Sequence, residues 1–108
     1  MAQADSARAK FSVGQLIRHR LFHYRGVIAD VDPVFQGSAE WYEQVARSRP
    51  PKDQPWYRVL VHDAAHETYV AERNLEPDPS DDPVSHPGID TYFAGFRDGE
   101  YVTRRSVN

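Results

Sequence analysis

Residues 24–31 read Tyr-Arg-Gly-Val-Ile-Ala-Asp-Val, and within them Val27, Ala29 and Val31 fall at every second position. Side chains two apart share one face of a strand, so the pattern predicts a strand with an apolar side. Outward from it, Trp56 to His62 (WYRVLVH) is rich in aromatic and β-branched residues and sets Tyr57, Val59 and Val61 on one side. Glu67 to Ala71 (ETYVA) follows after Asp63-Ala64-Ala65-His66, a link short enough for a hairpin. Upstream, Gln15 to Arg20 alternates loosely, with Ile17 as its inward residue. Gly26 interrupts an otherwise good strand, where glycine marks a bulge or bend. Short strands, a bend and tight links together predict a mainly β domain, a small antiparallel barrel whose closure removes its edges.

The pattern changes after Asp32-Pro33. Ser38 is placed to cap a helix over Ala39 to Ser48, in which Trp41 and Val45 share one face and Tyr42 and Ala46 the adjacent stripe. Glu40 and Glu43 near its start and Arg47 near its end suit the helix dipole, and Pro50-Pro51 ends it. So short a helix must dock on the barrel, with Trp41 as the expected anchor. After Leu75 the composition shifts again. Glu76 to Pro87 (EPDPSDDPVSHP) holds prolines and acids with a single aliphatic residue, which predicts an extended linker that does not pack. Beyond it, Tyr92, Phe93 and Phe96 cluster in a tail that either folds back as a helical turn or docks on a partner. Arg104 and Arg105 read as a frayed end. The expected organisation is a flexible N-terminus over residues 1–9, a barrel over residues 10–76, and a linker with an aromatic tail over residues 77–108.

The 108 residues suit one domain, and 40% apolar content supports only an economical core. No apolar run approaches the roughly 18 residues of a membrane span. Met1 to Lys10 is polar and lacks the apolar stretch of a secretory signal. The absence of cysteine removes disulfides, thiolate metal sites and thiol catalysis together. A protein with no membrane attachment and a cytoplasmic location is expected. Its net charge of −3 conceals an asymmetry: Ser6 to Ala29 carries five cations and no acid, whereas residues 30–108 carry eight cations against fifteen acids. A basic segment on an acidic body either meets a polyanion locally or pairs with the protein's own acids.

Chemistry is hard to find in the residues. There is no nucleophile elbow, Walker loop or glycine-rich phosphate cradle. His19 and His23 sit on strand and turn, and His62 and His66 flank the hairpin link, without the ligand spacing of a zinc site. Asp30 and Asp32 share a strand side, but Asp32 precedes Pro33, where aspartate commonly builds a turn. Asp81-Asp82 lies in the linker. The expectation is a binding module with no catalytic residue, no metal and no cofactor. Its candidate surface is the first hairpin, where Arg18, His19, Arg20, His23 and Arg25 interleave with Phe22 and Tyr24. Arginines of this kind meet phosphates and aromatic faces stack on bases, so these five residues are the candidate nucleic-acid contacts. Tyr92, Phe93 and Phe96 are the candidate partner-docking residues.

Taken together, Phe11-Ser-Val-Gly-Gln-Leu-Ile-Arg-His-Arg20, Tyr24-Arg-Gly-Val-Ile28, Asp30-Val-Asp-Pro33, Pro55-Trp-Tyr57, Val59-Leu-Val61, Thr68-Tyr-Val-Ala-Glu72 and Asn74-Leu75 closely resemble the heat-shock protein HspQ family, also called YccV-like or hemimethylated-DNA-binding. The resemblance spans about residues 10–77. It implies an SH3-like barrel in a bacterial cytoplasmic protein without cofactor, self-associating as a homo-oligomer such as a trimer. It further implies two activities: protein quality control in the heat-shock response, as a modulator of the Lon protease or an adaptor delivering client proteins to it, and binding to hemimethylated DNA near replication origins. No family motif marks a functional residue, so none is carried over. Sensing one methyl group in a major groove requires an apolar contact and enough cations to hold the duplex. Three clustered arginines on an acidic body are a weak footprint for that, which favours quality control.

Overall fold

The computed structural model describes residues 8–46 and 48–104. The chain is mainly β. Five antiparallel strands form one sheet: β1 (Leu16–His19), β2 (Arg25–Asp32), β3 (Trp56–Val61), β4 (Glu67–Ala71) and β5 (Leu75–Pro77), in the order β4-β3-β2-β1-β5. A short helix, α1 (Ala39–Val45), is inserted between β2 and β3, and a 3-10 turn (Glu72–Asn74) joins β4 to β5. After β5 come a single-turn helix, α2 (Ile89–Tyr92), and a hairpin of β6 (Phe93–Arg97) with β7 (Glu100–Thr103). No helix among the described residues is long and apolar enough to cross a membrane.

The sheet does not close into the expected cylinder: β4 and β5 are its two edges. The 3-10 turn separates them, and β5 pairs with β1 for only three residues, ending at Pro77, which has no N–H to extend a ladder.

The phase of β2 also differs from strict alternation. The bulge lies between Ile28 and Asp30, at Ala29, rather than at Gly26. Val27 and Ala29 face one side of the sheet, whereas Ile28 and Val31 face the other. Gly26 stays in register opposite Val61, and its purpose is close approach: a Cβ there would stand 2.5 Å from Val59 Cγ1 and 2.6 Å from the Leu60 carbonyl oxygen.

Both faces of the sheet are buried, which explains why β3 reads as an almost unbroken apolar run. On one face Ile17, Ile28, Tyr57, Val59, Val70 and Leu75 pack with Phe11. On the other, Leu16, Val27, Ala29 and Leu60 are covered by Val84, Phe93 and Tyr101. Residues 78–103 are therefore part of the same body, against the expectation of a non-packing linker. The single aliphatic residue of Glu76 to Pro87, Val84, is buried, and its N–H and C=O are both held by the Tyr101 hydroxyl (2.9 and 3.0 Å). Of the two alternatives for the tail, folding back is the one observed, and Phe93 is 1% exposed. Arg104 is not frayed: its N–H donates to the Tyr92 carbonyl and its guanidinium to those of Asp90 and Phe93. Arg47, Arg105 and residues 1–7 lie outside the described residues.

Ser38 caps α1 as expected, its hydroxyl accepting from the Trp41 N–H at 3.0 Å. The helix is shorter than expected, ending at Val45. Its anchor is the neighbouring stripe: Tyr42 and Ala46 bury against Trp56 and Ala71, with Trp41 half-buried beside Phe35 and Tyr69. The Tyr42 hydroxyl donates to the Pro50 carbonyl at 2.7 Å and locks the helix to its exit loop.

Candidate binding groove

His19 organises the loop between β1 and β2. The ring is buried, its Nδ1 accepts the N–H groups of Leu21 and Phe22 (3.1 Å each), Phe22 stacks against it, and the Tyr24 ring lies tilted beside it at 5.1 Å. An accepting Nδ1 requires the neutral ring, and burial, helped by the nearby charge of His23, holds its pKa below the ordinary imidazole value. With the loop backbone tied to His19 and His23 turned to a φ of +64°, the next side chains point outward. Leu21 is 54% exposed and Phe22 72%. The Tyr24 hydroxyl meets Thr68 Oγ1 at 2.7 Å and fastens the loop to β4.

The facing wall is α1 and the aromatic group beneath it. Trp56 and Tyr69 stack at 5.3 Å, Trp41 stands edge-on to Tyr69 at 5.8 Å, and Val45 is 54% exposed at the end of the helix. The Tyr69 hydroxyl donates to Asp32 at 2.6 Å and accepts from the Gln36 N–H at 3.0 Å. Burial, reinforced by the Asp32 carboxylate, pushes its pKa to about 12. Between the two walls runs β4. Together they enclose a groove of about 550 Å³, lined by Leu21, Phe22, Tyr24, Trp41, Val45 and Tyr69 among others. Leu21, Phe22 and Val45, three of the large apolar side chains left exposed, all open onto it.

The sequence-derived contact residues are arranged differently. Arg25 is bound on two sides: its Nε meets Asp78 at 2.7 Å and its Nη2 donates to the Asp82 carbonyl. Burial alone would raise the Asp78 carboxyl, but Arg25 and the Ser80 hydroxyl and N–H hold it below the usual carboxylate range. Arg18 and Arg20 both lean on Glu76, at 4.0 and 3.9 Å, and Arg18 also approaches His23 Nδ1. The basic segment thus meets acids from β5 and the stretch that follows, and buried His19 presents no charge. Arg18 remains partly exposed and Arg20 and His23 exposed.

Tyr92, Phe93 and Phe96 do not form one surface. Phe93 lies in the core, Phe96 packs half-buried on Tyr101 at 4.7 Å, and the Tyr92 hydroxyl reaches Glu67 at 3.4 Å. Asp30 and Asp32 serve Arg58 and Tyr69 respectively. His62 Nδ1 accepts the Ser85 N–H, and His86 contacts the His66 carbonyl. Among the described residues no group of three or more His, Cys, Asp or Glu side chains is placed to hold a metal ion.

The sequence alone points to Phe22 as a base-stacking residue, and its periodicity gives no sign of the exposure of Leu21 and Val45 or of the open side of β4. The signal available was the apolar pair Leu21-Phe22 inside a turn flanked by polar residues, which strand periodicity cannot bury. A family model with the description hemimethylated DNA-binding protein YccV like matches residues 9–100.

Proposed function

The chain belongs to the YccV-like family, and from that premise we propose that it works without catalysis, as a recognition module that holds polypeptide segments for protein quality control and modulates or supplies a Lon-type protease. The observation that carries this reading is the apolar groove. Leu21, Phe22 and Val45 stand open to solvent around it, and apolar and aromatic side chains of this kind dominate protein–protein hot spots. In the same reading the five-stranded sheet with its 3-10 turn is an SH3-like barrel left open between β4 and β5, and the protein is a cytoplasmic homo-oligomer.

The test is degradation of an unfolded reporter by Lon, followed with no addition, with this protein, and with its Phe22→Asp variant. A rate changed by the native protein and restored by the variant is expected. Equal rates in all three arms refute the reading.

A second reading, binding of hemimethylated DNA, is favoured by the family's description and by the partly exposed Arg18 and the exposed Arg20. Titration against unmethylated, hemimethylated and fully methylated duplexes at two salt concentrations decides it. Preference for the hemimethylated duplex, lost in an Arg18→Ala/Arg20→Ala variant, supports it, and equally weak binding to all three removes it. Two phosphate contacts would give a salt slope of only about −1.8, at roughly −0.9 per contact.

A further inference from the structure

The groove has a floor of unusual composition. It is the outer side of β4, an edge of the sheet that meets no other strand among the described residues. The hydrogen-bond phase of that edge can be read from its ends. Val61 N–H donates to the His66 carbonyl at 3.4 Å, and Glu72 N–H to the Pro55 carbonyl at 3.0 Å. In an antiparallel pair the bonded positions alternate, so Thr68 and Val70 direct their N–H and C=O toward β3. Glu67 and Tyr69 direct theirs into the groove. At Ala71, buried beside the 3-10 turn, the groove closes.

The side chains of β4 alternate across this line. Val70 joins the sheet core on the side of the Leu21-Phe22 loop, where Thr68 meets Tyr24, and Tyr69 and Ala71 join the Trp56 cluster on the side of α1. A strand laid against β4 would alternate in the same way. One set of its side chains would meet Leu21, Phe22 and Tyr24, and the other would meet Trp41, Val45 and Tyr69. Backbone donors and acceptors at strand spacing, flanked by apolar walls on both sides, fit one occupant: an extended polypeptide with apolar residues on both faces.

We infer that the groove binds an extended apolar segment of an unfolded polypeptide by strand addition to β4, with main-chain hydrogen bonds to Glu67 and Tyr69. The inference rests on the polypeptide-binding reading above and names its mode and ligand class. Such recognition is weakly selective for sequence, because the main chain supplies the polar contacts and the walls ask only for apolar side chains.

The probes are a lysine-flanked synthetic peptide whose central residues alternate valine and leucine, apolar on both faces, and a permanently unfolded protein, reduced and carboxymethylated α-lactalbumin. Native protein is titrated with each, and amide hydrogen exchange is followed by NMR. With either probe bound, exchange at Glu67 and Tyr69 is expected to slow at least tenfold, while Thr68 and Val70, already bonded to β3, change little. Methylating one alternate set of peptide amide nitrogens weakens binding about tenfold and methylating the other set does not, since only one set faces β4. Phe22→Asp and Val45→Glu, both at exposed positions, lower affinity while the domain stays folded, as its circular dichroism reports. Binding with unchanged exchange at Glu67 and Tyr69, or with indifference to both methylation patterns, overturns strand addition while the polypeptide-binding reading stands. Failure of both probes to bind overturns the two together. If Phe22→Asp instead dissociates an oligomer in sedimentation and neither probe competes with that assembly, the occupant is a second copy and the inference is wrong.

Discussion

Replacing Phe93 by alanine tests whether the C-terminal segment is structurally part of the sheet domain. The ring is 1% exposed, packs with Leu16, Val27, Leu60 and Val84, and lies 5.2 Å from the Tyr101 ring. Truncating a buried phenylalanine costs about 3–5 kcal/mol in transfer and cavity terms. For a domain near this size each kcal/mol lowers the midpoint by about 4–8 °C, so Phe93→Ala is expected to melt at least about 12 °C below the native protein. The informative assay is urea unfolding followed by tryptophan fluorescence. Trp41 lies on α1 and Trp56 beneath it, in a different cluster from Phe93. A drop in their midpoint matching the loss of far-ultraviolet circular dichroism means one cooperative unit. Phe96→Ala, at a half-buried position, should cost distinctly less. The reasoning fails if the tryptophan transition of Phe93→Ala stays within about 0.5 kcal/mol of native, because the tail would then fold independently of the sheet.

Tyr69 is held neutral up to about pH 12, above its unfolded value of 10.0. That stabilisation is fully present below pH 10.0 and is lost as pH rises toward about 12. Urea midpoints of Tyr69→Phe should therefore fall less steeply over this alkaline window than those of the native protein, with Tyr24 and Tyr57 supplying the slope that remains. Asp78 has the opposite sign: its lowered pKa gives stability present above its ordinary value of 3.8 and lost as pH falls through the folded value. Arg25→Gln leaves that carboxylate, 4% exposed, without its cation and should cost about 2–3 kcal/mol at neutral pH, measured by urea denaturation. Gly26→Ala drives a Cβ against Val59 and the Leu60 carbonyl and should cost about 1–3 kcal/mol in the same assay, against little change for Gly95→Ala, which meets open space.

Strand positions were legible because period-two apolar residues have no other economical use in so small a domain. Glu67 to Ala71 appears as read, and the strand read over Trp56 to His62 ends one residue earlier, at Val61. The helix was legible through Ser38 and the Tyr42–Ala46 spacing, although the choice between its two aromatic stripes depends on where Trp56 lies, which is a tertiary fact. The bulge at Ala29 was not legible, since bulges follow from pairing between strands and alanine carries no local signal for them. The packing of Glu76 to Pro87 was hidden by composition, and for the tail beyond it folding back was only one of two alternatives. Val84, Phe93 and Tyr101 are few, but each is placed where the sheet has a bare second face. The basic segment was correctly seen as a concentration of charge, and its pairing with Glu76 and Asp78 comes from β5 lying beside β1, a contact between residues far apart in the chain. The groove escaped because its floor is an edge, and an edge exists only once strand order is known.

The hairpin of β6 and β7 is stitched to the beginning of the domain: Tyr101 N–H donates to the Gly14 carbonyl at 2.9 Å, and Gly14 N–H in turn to that of Ile28 at 2.8 Å. A ribosome makes the chain in the other order. Leu16, Val27 and Leu60 emerge early and must wait, wet and adhesive, until Phe93 and Tyr101 have left the exit tunnel to cover them. During its own synthesis the protein is thus an unfinished chain with an apolar flank in need of shelter.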